Sequence, residues 1–237
     1  MKGSKYPIIL LVLFIAAFLI TTIHIPHPHD FVLEHIATVA LIIILLFTYN
    51  KFRLSNLSYT LIFTFMILHI IGAHYTYAEV PYDSWFKAVF GTTLNELVGF
   101  TRNNYDRIVH FSFGLLMAYP IREMFLRIVS VQGFWGYYLP LDVVMAFSMI
   151  YELLEWLVAV VFGGDLGMTY LGTQGDVWDA HKDMLFASLG ALITMIVIAS
   201  VNYFYKRDGF HKEMKHSFKV KRKTPLGEVE LKRMRKK

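Results

Sequence analysis

The sequence has no cysteine and little charge. Asp, Glu, Lys and Arg make up 17% of its 237 residues, against about 25% in an ordinary soluble domain. The lack of cysteine excludes disulfides, thiolate metal sites and a cysteine nucleophile. The scarcity of charge and the hydrophobic content of 56% argue against an ordinary soluble protein. The apolar residues are instead concentrated in long runs.

Six apolar stretches are long enough to span the roughly 30 Å hydrocarbon layer of a membrane. The predicted fold is therefore all-α, a polytopic membrane helical bundle of about six transmembrane helices plus a short interfacial helix. The first stretch resembles a signal peptide, but no small-x-small cleavage site follows it, so we predict a retained helix. The six stretches are 7–23, 31–49, 57–76, 106–128, 136–162 and 179–204.

Positive charges flank the predicted helices on one side, which the positive-inside rule makes cytoplasmic. We therefore predict a multi-pass protein of the cell (inner) membrane with both termini in the cytoplasm. The predicted transmembrane domain, residues 1–205, contains ten Lys and Arg and fourteen Asp and Glu. The tail, residues 206–237, contains thirteen Lys and Arg and four Asp and Glu. The tail is predicted to contact anionic lipid headgroups. It has no nucleic-acid-binding module.

The outer connection 77–105 has apolar residues at helical spacing, with Asp83 and Ser84 before them as caps. This pattern predicts one short helix in the outer membrane interface. Two roles remain open for it, a lid over a polar site or a passive anchor. The glycine-rich connection 163–178 has no GxxxxGK[ST] pattern and no flanking strand, so a phosphate-binding loop is unsupported.

Ionisable residues are concentrated in the outer halves of the last three predicted helices. Each costs roughly 2.5–3.5 kcal/mol on membrane insertion scales, so such residues usually mark a functional site. They occur in pairs spaced three or four apart, which places each pair on one helix face. The sequence thus predicts a polar site opening to the outer side, formed by Asp106, His110, Glu152, Glu155, Asp179 and Asp183.

These residue types suit a metal ion or proton chemistry. Carboxylates with imidazole favour zinc, iron or manganese, and carboxylates alone favour magnesium. As catalytic residues we predict Glu152 and Glu155, as bases or ligands, and His110, as ligand or proton shuttle. The predicted metal ligands are Asp106, His110, Glu155, Asp179, Asp183 and His74, the last because it lies late in the third helix.

Ordinary structural roles compete with the site hypothesis. Asp106 and Asp179 also suit the first turn of a helix, His110 suits a hydrogen-bonded core position, and Asp183 has Lys182 and Arg107 as candidate surface partners. Glu152 and Glu155 are hardest to explain in this way, because they lie in an apolar run without a nearby cation.

Four segments resemble the YjdF-like family of bacterial inner-membrane proteins: IGAHYTYAEVP (71–81), NNYDRIVHFSFG (103–114), YELLEW (151–156) and YLGTQGDVWDAHKDM (170–184). The resemblance covers roughly residues 5–205. It implies a multi-helix membrane protein with these polar segments as its hallmark, in a family without an established function. A fainter similarity links the Asp-Arg-x-x-His pattern at 106–110 to the VanZ-like family; the later segments match loosely, so no glycopeptide-resistance role is transferred.

The leading functional hypothesis is a metal- or carboxylate-dependent membrane enzyme acting on a lipid or lipid-linked substrate. One alternative is a cation- or proton-coupled transporter, although the sequence shows no inverted repeat and no pair of broken helices. Another is a non-catalytic membrane scaffold whose acidic residues pair internally.

Overall fold

A computed structural model describes residues 5–164, 167, 171–205, 209–220 and 225–235, and every regular element in this part of the chain is helical. The predicted helix limits agree with the observed ones to within a few residues. The helix α6 continues into a π-helical turn at Phe125–Val129. The helices are α1 (Tyr6–Thr21), α2 (Pro28–Thr48), α3 (Asn56–His74), α4 (Tyr82–Phe90), α5 (Leu94–Val98), α6 (Tyr105–Met124), α7 (Trp135–Phe162), α8 (Asp179–Phe204), α9 (Phe210–His216) and α10 (Leu226–Met234).

Four helices, α2, α3, α7 and α8, are long and apolar enough to cross a membrane. Helix α1 is apolar but has only 16 residues. Helix α6 has 20 residues and carries charged side chains in its first and last turns. The prediction of a polytopic helical membrane protein is confirmed, whereas the count of six membrane spans stays a prediction.

Helix α6 is the central helix of the bundle. It packs against α3, α7 and α8, so most of its surface faces protein rather than lipid. Both Arg107 and Arg122 of this helix are buried. A central position explains how α6 carries charge, because charged side chains in membrane proteins are tolerated where they face the bundle interior.

Small residues bring α6 and α8 into close contact. A Cβ atom added at Gly114 would lie 1.8 Å from the carbonyl oxygen of Ala187, and one at Gly190 would lie 2.2 Å from that of Phe111. The neighbouring Ala118, Ala187 and Ala191 are fully buried. Such interfaces let two helix backbones approach closely in a membrane. The close approach aligns the N-terminal ends of α6 and α8, where the predicted site residues Asp106, His110, Asp179 and Asp183 lie.

The start of α3 and the end of α6 are held together by Glu123. Its carboxylate accepts hydrogen bonds from the backbone N–H of Ser55 at 2.9 Å and from Ser58 Oγ at 2.5 Å. Arg127 Nη1 also donates to Glu123, at 2.6 Å. Arg127, one of the positive charges that flank the predicted helices, therefore also has a structural role.

The outer connection forms two short helices, not the single interfacial helix that was predicted. The chain turns at Gly91, whose φ of +80° suits glycine. Helix α5 then starts with a capping box between Thr93 and Glu96. The predicted capping role of Asp83 is also wrong, because its carboxylate accepts a hydrogen bond from the Asn95 backbone N–H at 3.1 Å and joins α4 to α5.

The basic tail is partly helical and is attached to the bundle. Its helix α9 is followed by Ser217, whose hydroxyl accepts a hydrogen bond from the Phe134 backbone N–H at 2.8 Å. The Ser217 carbonyl accepts a second one from the Trp135 indole at 2.9 Å. These bonds hold the start of the tail beside the turn that precedes α7.

Candidate functional site

Two arginines join several carboxylates at the N-terminal ends of α6 and α8, in what we call the ionic layer. Arg102, just before α6, pairs with Asp106 at 3.1 Å and with Asp179. Arg107, in the first turn of α6, pairs with Asp176 at 2.6 Å and with Asp179 at 3.2 Å. Because Asp179 is shared by both arginines, the ionic layer holds the start of α8 against the start of α6.

Asp176 has a further cation beside it. Lys182 Nζ donates a hydrogen bond of 2.6 Å to Asp176 Oδ2. This bond, with the hydrogen bond from Arg107, keeps the pKa of Asp176 below its ordinary value, so this carboxylate stays ionised at neutral pH. Lys182 therefore pairs with Asp176, and not with Asp183 as the surface-pairing alternative supposed.

The ionic layer was only partly foreseen from the sequence. Asp106 and Asp179 are predicted site residues, whereas Arg107 is predicted only as a surface partner of Asp183 and Arg102 has no predicted role in the site. The missed signal is spacing: Arg102 lies four residues before Asp106 and Arg107 lies three residues before His110, so both fall close to predicted members on α6 or just before it. The site thus contains its own counter-charges.

Next to the ionic layer, His110, Glu152 and Asp183 converge from α6, α7 and α8, and we call them the His110 group. One donor atom from each lies within 4.8 Å of the others, and His110 Nε2 is 3.2 Å from Glu152 Oε1. Asp183 also belongs to a second set, with Asp106 and Asp179, that meets the same limit. The structure thus brings these five predicted residues together.

Two buried carboxylate oxygens of the His110 group accept no hydrogen bond from the described residues: Glu152 Oε1 and Asp183 Oδ1. The contact of Glu152 with His110 is close enough for an ion pair but is not oriented as a hydrogen bond. Arg107 Nε is 4.0 Å from Asp183 Oδ1, which is too far for one. A buried polar atom without a partner costs about 1–3 kcal/mol, and more when charged. These oxygens therefore suit a bound cation or proton.

The donor set fits a first-row divalent metal ion. An imidazole nitrogen with carboxylate oxygens favours zinc, iron or manganese over magnesium. On the far side of the imidazole, His110 Nδ1 lies 3.4 Å from Ser148 Oγ. A partner at the second nitrogen orients a ligating histidine. The arrangement presents His110 Nε2 towards Glu152, as a metal ligand requires.

Glu155 lies beside the His110 group rather than within it. It is one turn from Glu152 on α7 and is partly buried. A spacing of three residues places Glu152 and Glu155 on one face of the helix. Two adjacent carboxyls can share a proton or a cation, so Glu155 is placed to support Glu152.

The structure does not bring His74 to the other predicted ligands. His74 Nδ1 lies 2.8 Å from the carbonyl oxygen of Thr21, so this imidazole joins the end of α3 to the end of α1. His69, one turn earlier, is the α3 histidine that points into the bundle: it contacts the Glu34 carbonyl at 3.2 Å and the Tyr77 hydroxyl. This position of His74 contradicts the prediction that it is a metal ligand together with His110.

A polar row on α2 was missed from the sequence. Asp30, Glu34 and Thr38 are buried and lie four residues apart, on one face of the helix. Tyr151, the residue before Glu152, donates a hydrogen bond of 2.6 Å to Glu34 Oε2. The four-residue spacing was the available signal. The row borders the His110 group through Tyr151, whose ring centroid is 5.8 Å from that of His110.

The α4–α5 segment is fastened to the ionic layer. Asn95 Nδ2 donates to the Arg102 carbonyl at 2.8 Å, and the Tyr82 hydroxyl donates to Asn95 Oδ1 at 2.6 Å. The backbone N–H of Asn104 donates to the same hydroxyl at 3.0 Å. The outward side of the segment has exposed apolar side chains, typical of a helix in a membrane interface: Trp85, Val89, Phe90, Leu97 and Val98.

Comparison with known proteins places these features in a family. The model of the family described as "Predicted membrane protein (DUF2238)" matches residues 6–203. The inner membrane protein YjdF of Escherichia coli (strain K12) is 38% identical over 175 residues, which cover 72% of this chain and 79% of that protein. No solved structure matches the chain. The matched region includes the ionic layer, the His110 group and the polar row on α2.

Proposed function

This chain belongs to the DUF2238 family of predicted membrane proteins, and from that premise we propose that its His110 group binds a divalent metal ion. The protein is a multi-pass inner-membrane protein, as its relative and its apolar helices indicate. The bound metal would polarise a substrate oxygen or lower the pKa of a bound water. Its ligands would be His110, Glu152 and Asp183, with Glu155 beside them.

One observation supports the metal more than any other: the unpartnered oxygens of Glu152 and Asp183 lie next to an imidazole. The scaffold alternative expects every acidic residue to pair internally. The ionic layer meets that expectation, because its carboxylates form ion pairs with Arg102, Arg107 and Lys182. The His110 group meets it less well, because Arg107 Nε is 4.0 Å from Asp183 Oδ1 and no Lys or Arg of the described residues donates a hydrogen bond to Glu152 or Asp183.

We propose further that the metal serves an enzyme acting on a lipid or lipid-linked substrate. The site lies at the outer ends of the helices, next to a segment whose apolar side chains are exposed as in an interfacial helix. A headgroup at that level would reach the metal while its acyl chains stay in the membrane. The ionic layer would supply guanidinium groups near the entrance.

The site faces outward only if the membrane topology has six spans with both termini in the cytoplasm. Reporter fusions at residues 27 and 91 should then read as outside, and a fusion at the C-terminus as inside. The physical reason is the one-sided distribution of Lys and Arg. A C-terminal fusion that reads as outside would contradict this topology and the outward site together.

Metal content tests the binding proposal directly. Protein purified in mild detergent and dialysed against zinc or manganese should retain about one ion per chain. Glu152→Gln removes a ligand charge and should weaken metal affinity by at least about 10–100-fold, the loss that follows removal of even a supporting group. Glu155→Gln should weaken it less and leave the melting temperature unchanged or raised, because it removes one of two crowded carboxylates.

Asp142→Asn is the matched control for these variants. Asp142 is an exposed carboxylate on the same helix, α7, and belongs to neither group of converging donors. Its replacement should leave metal content unchanged. If wild-type protein holds no ion, or if Glu152→Gln and Asp142→Asn hold as much metal as wild type, the metal proposal is wrong.

A further inference from the structure

The polar row on α2 contains buried oxygen atoms that lack a hydrogen-bond partner among the described residues. Asp30, Glu34 and Thr38 are only 3%, 5% and 2% exposed. Asp30 Oδ1 and Thr38 Oγ1 have no hydrogen-bond partner among the described residues. Both side chains lie on the face of α2 that includes Glu34, because four-residue steps keep side chains in register along a helix. That face points towards α7, since Glu34 is bonded to Tyr151.

The groups along this part of α2 are hydrogen-bond acceptors. His35 Nδ1 lies 2.6 Å from the Phe31 carbonyl, so Nδ1 carries the proton and Nε2 is an acceptor. His35 Nε2 is buried and also has no partner. Together with the carboxylates of Asp30 and Glu34, this part of α2 has several hydrogen-bond acceptors and too few donors to bond with them. A ligand that bound here would therefore have to donate hydrogen bonds from N–H or O–H groups.

The same part of the bundle also lacks positive charge. No Lys or Arg of the described residues lies within 4.0 Å of Asp30 or Glu34. The charged or titratable neighbours of Asp30 are His27, His29 and Glu79, and His27 is already paired with Glu79 at 3.2 Å. Two buried carboxylates without a cation cost free energy unless they bind a proton or a positively charged ligand.

We infer that Asp30 and Glu34 form a second subsite, which binds a primary ammonium group. An ammonium group has three N–H donors and one positive charge, which matches two acceptor carboxylates one helical turn apart. A metal ion fits less well, because it needs at least three or four converging donors, and no group of three converging donors among the described residues includes Asp30 or Glu34. Thr38, one turn further along, is placed to bond another polar atom of the same ligand.

This inference rests on the proposed function and narrows its substrate. Tyr151 lies between the two subsites, with its hydroxyl on Glu34 and its ring against His110. A substrate held at both subsites would have an amine at one end of its headgroup and an oxygen ligand for the metal near it. The substrate class is therefore an amine-bearing lipid headgroup rather than a neutral or purely anionic one.

Calorimetry with two small probes tests the subsite. Full-length protein in detergent should bind ethanolamine and should not measurably bind ethylene glycol, which has the same size without the charge. Asp30→Asn and Glu34→Gln should each weaken ethanolamine binding by roughly 10–100-fold, the value of a lost charge-assisted hydrogen bond. Asp142→Asn should bind like wild type. Asp30→Asn is the cleaner variant, because Asp30 Oδ1 has no partner to lose.

Each outcome of these measurements either supports or overturns the ammonium subsite. Equal binding of both probes, no binding of ethanolamine, or unchanged binding in Asp30→Asn would overturn the ammonium subsite. Absence of ethanolamine binding together with higher melting temperatures of Asp30→Asn and Glu34→Gln would show that these carboxyls only hold buried protons. Metal content measured in the same samples keeps the two proposals apart: ethanolamine binding without bound metal would refute the metal site and leave the ammonium subsite standing.

Discussion

Replacement of Arg107 by methionine should destabilise the protein by about 3–5 kcal/mol, the usual cost of removing one partner from a buried ion pair. Arg107 is buried, and its guanidinium donates to Asp176, Asp179 and Asn104. Methionine keeps most of the side-chain volume but leaves the Asp179 carboxylate with fewer partners. The melting temperature in detergent measures the loss.

Lys182→Met is the matched control, because Lys182 pairs with the same Asp176 from a side chain that is 43% exposed. An exposed pair contributes about 0–1 kcal/mol, so this variant should stay close to wild type. Adding Asp179→Asn to Arg107→Met should recover part of the lost stability, because the carboxylate charge that Arg107 no longer neutralises is then gone. Equal stability of the Arg107 and Lys182 variants would contradict a buried role for Arg107.

Gly190→Ala should destabilise the bundle by about 2–3 kcal/mol, at the upper end of the range for overpacking. The added Cβ would lie 2.2 Å from the Phe111 carbonyl and 2.7 Å from the Leu115 backbone nitrogen. Both are backbone atoms of α6, so a side-chain rotation cannot relieve the contact. Separation of α6 from α8 would also move His110 away from Asp183, so metal content should fall with stability.

The control for this variant is Gly136→Ala on α7, where the nearest atom is a Leu126 methyl carbon at 3.4 Å. In a helix, alanine is favoured over glycine by about 1 kcal/mol when space allows. The two Gly→Ala variants should therefore shift the melting temperature in opposite directions. A Gly190→Ala protein as stable as the Gly136→Ala protein would contradict the close contact of α6 and α8.

The sequence predicted the helices well because apolar length and charge placement determine them directly. The observed limits of α7 and α8 lie within one residue of the predictions. The outer connection was harder, since one glycine and a capping box divide it into α4 and α5. Helix α6 shows the limit of composition: its buried charges are explained by its central position in the bundle, and only packing reveals that position.

The site was predicted where spacing along one helix was sufficient. Asp106 with His110, and Asp179 with Asp183, were expected on shared faces, and the structure brings these four residues together. Which carboxylate meets which cation across two helices depends on how the helices pack, so the pairing of Arg102 with Asp179 could not be read from spacing.

Two other misses have different causes. His74 was misplaced because the position of α1 decides its neighbour, the Thr21 carbonyl. Asp30 and Glu34 were overlooked because polar residues near a helix start are ordinary, although their spacing with Thr38 placed all three on one face. Part of the glycine-rich connection 163–178 lies outside the described residues, namely 165, 166 and 168–170.

The most direct test of the metal site is the nitrogen coupling of bound manganese, measured by pulsed electron paramagnetic resonance on the purified protein. We expect the bound ion to show coupling to one histidine nitrogen, and we expect His110→Gln to abolish this coupling while His74→Gln leaves it unchanged. Bound manganese without a nitrogen coupling, or a coupling that survives His110→Gln, would contradict the assignment of His110, Glu152 and Asp183 as the metal ligands.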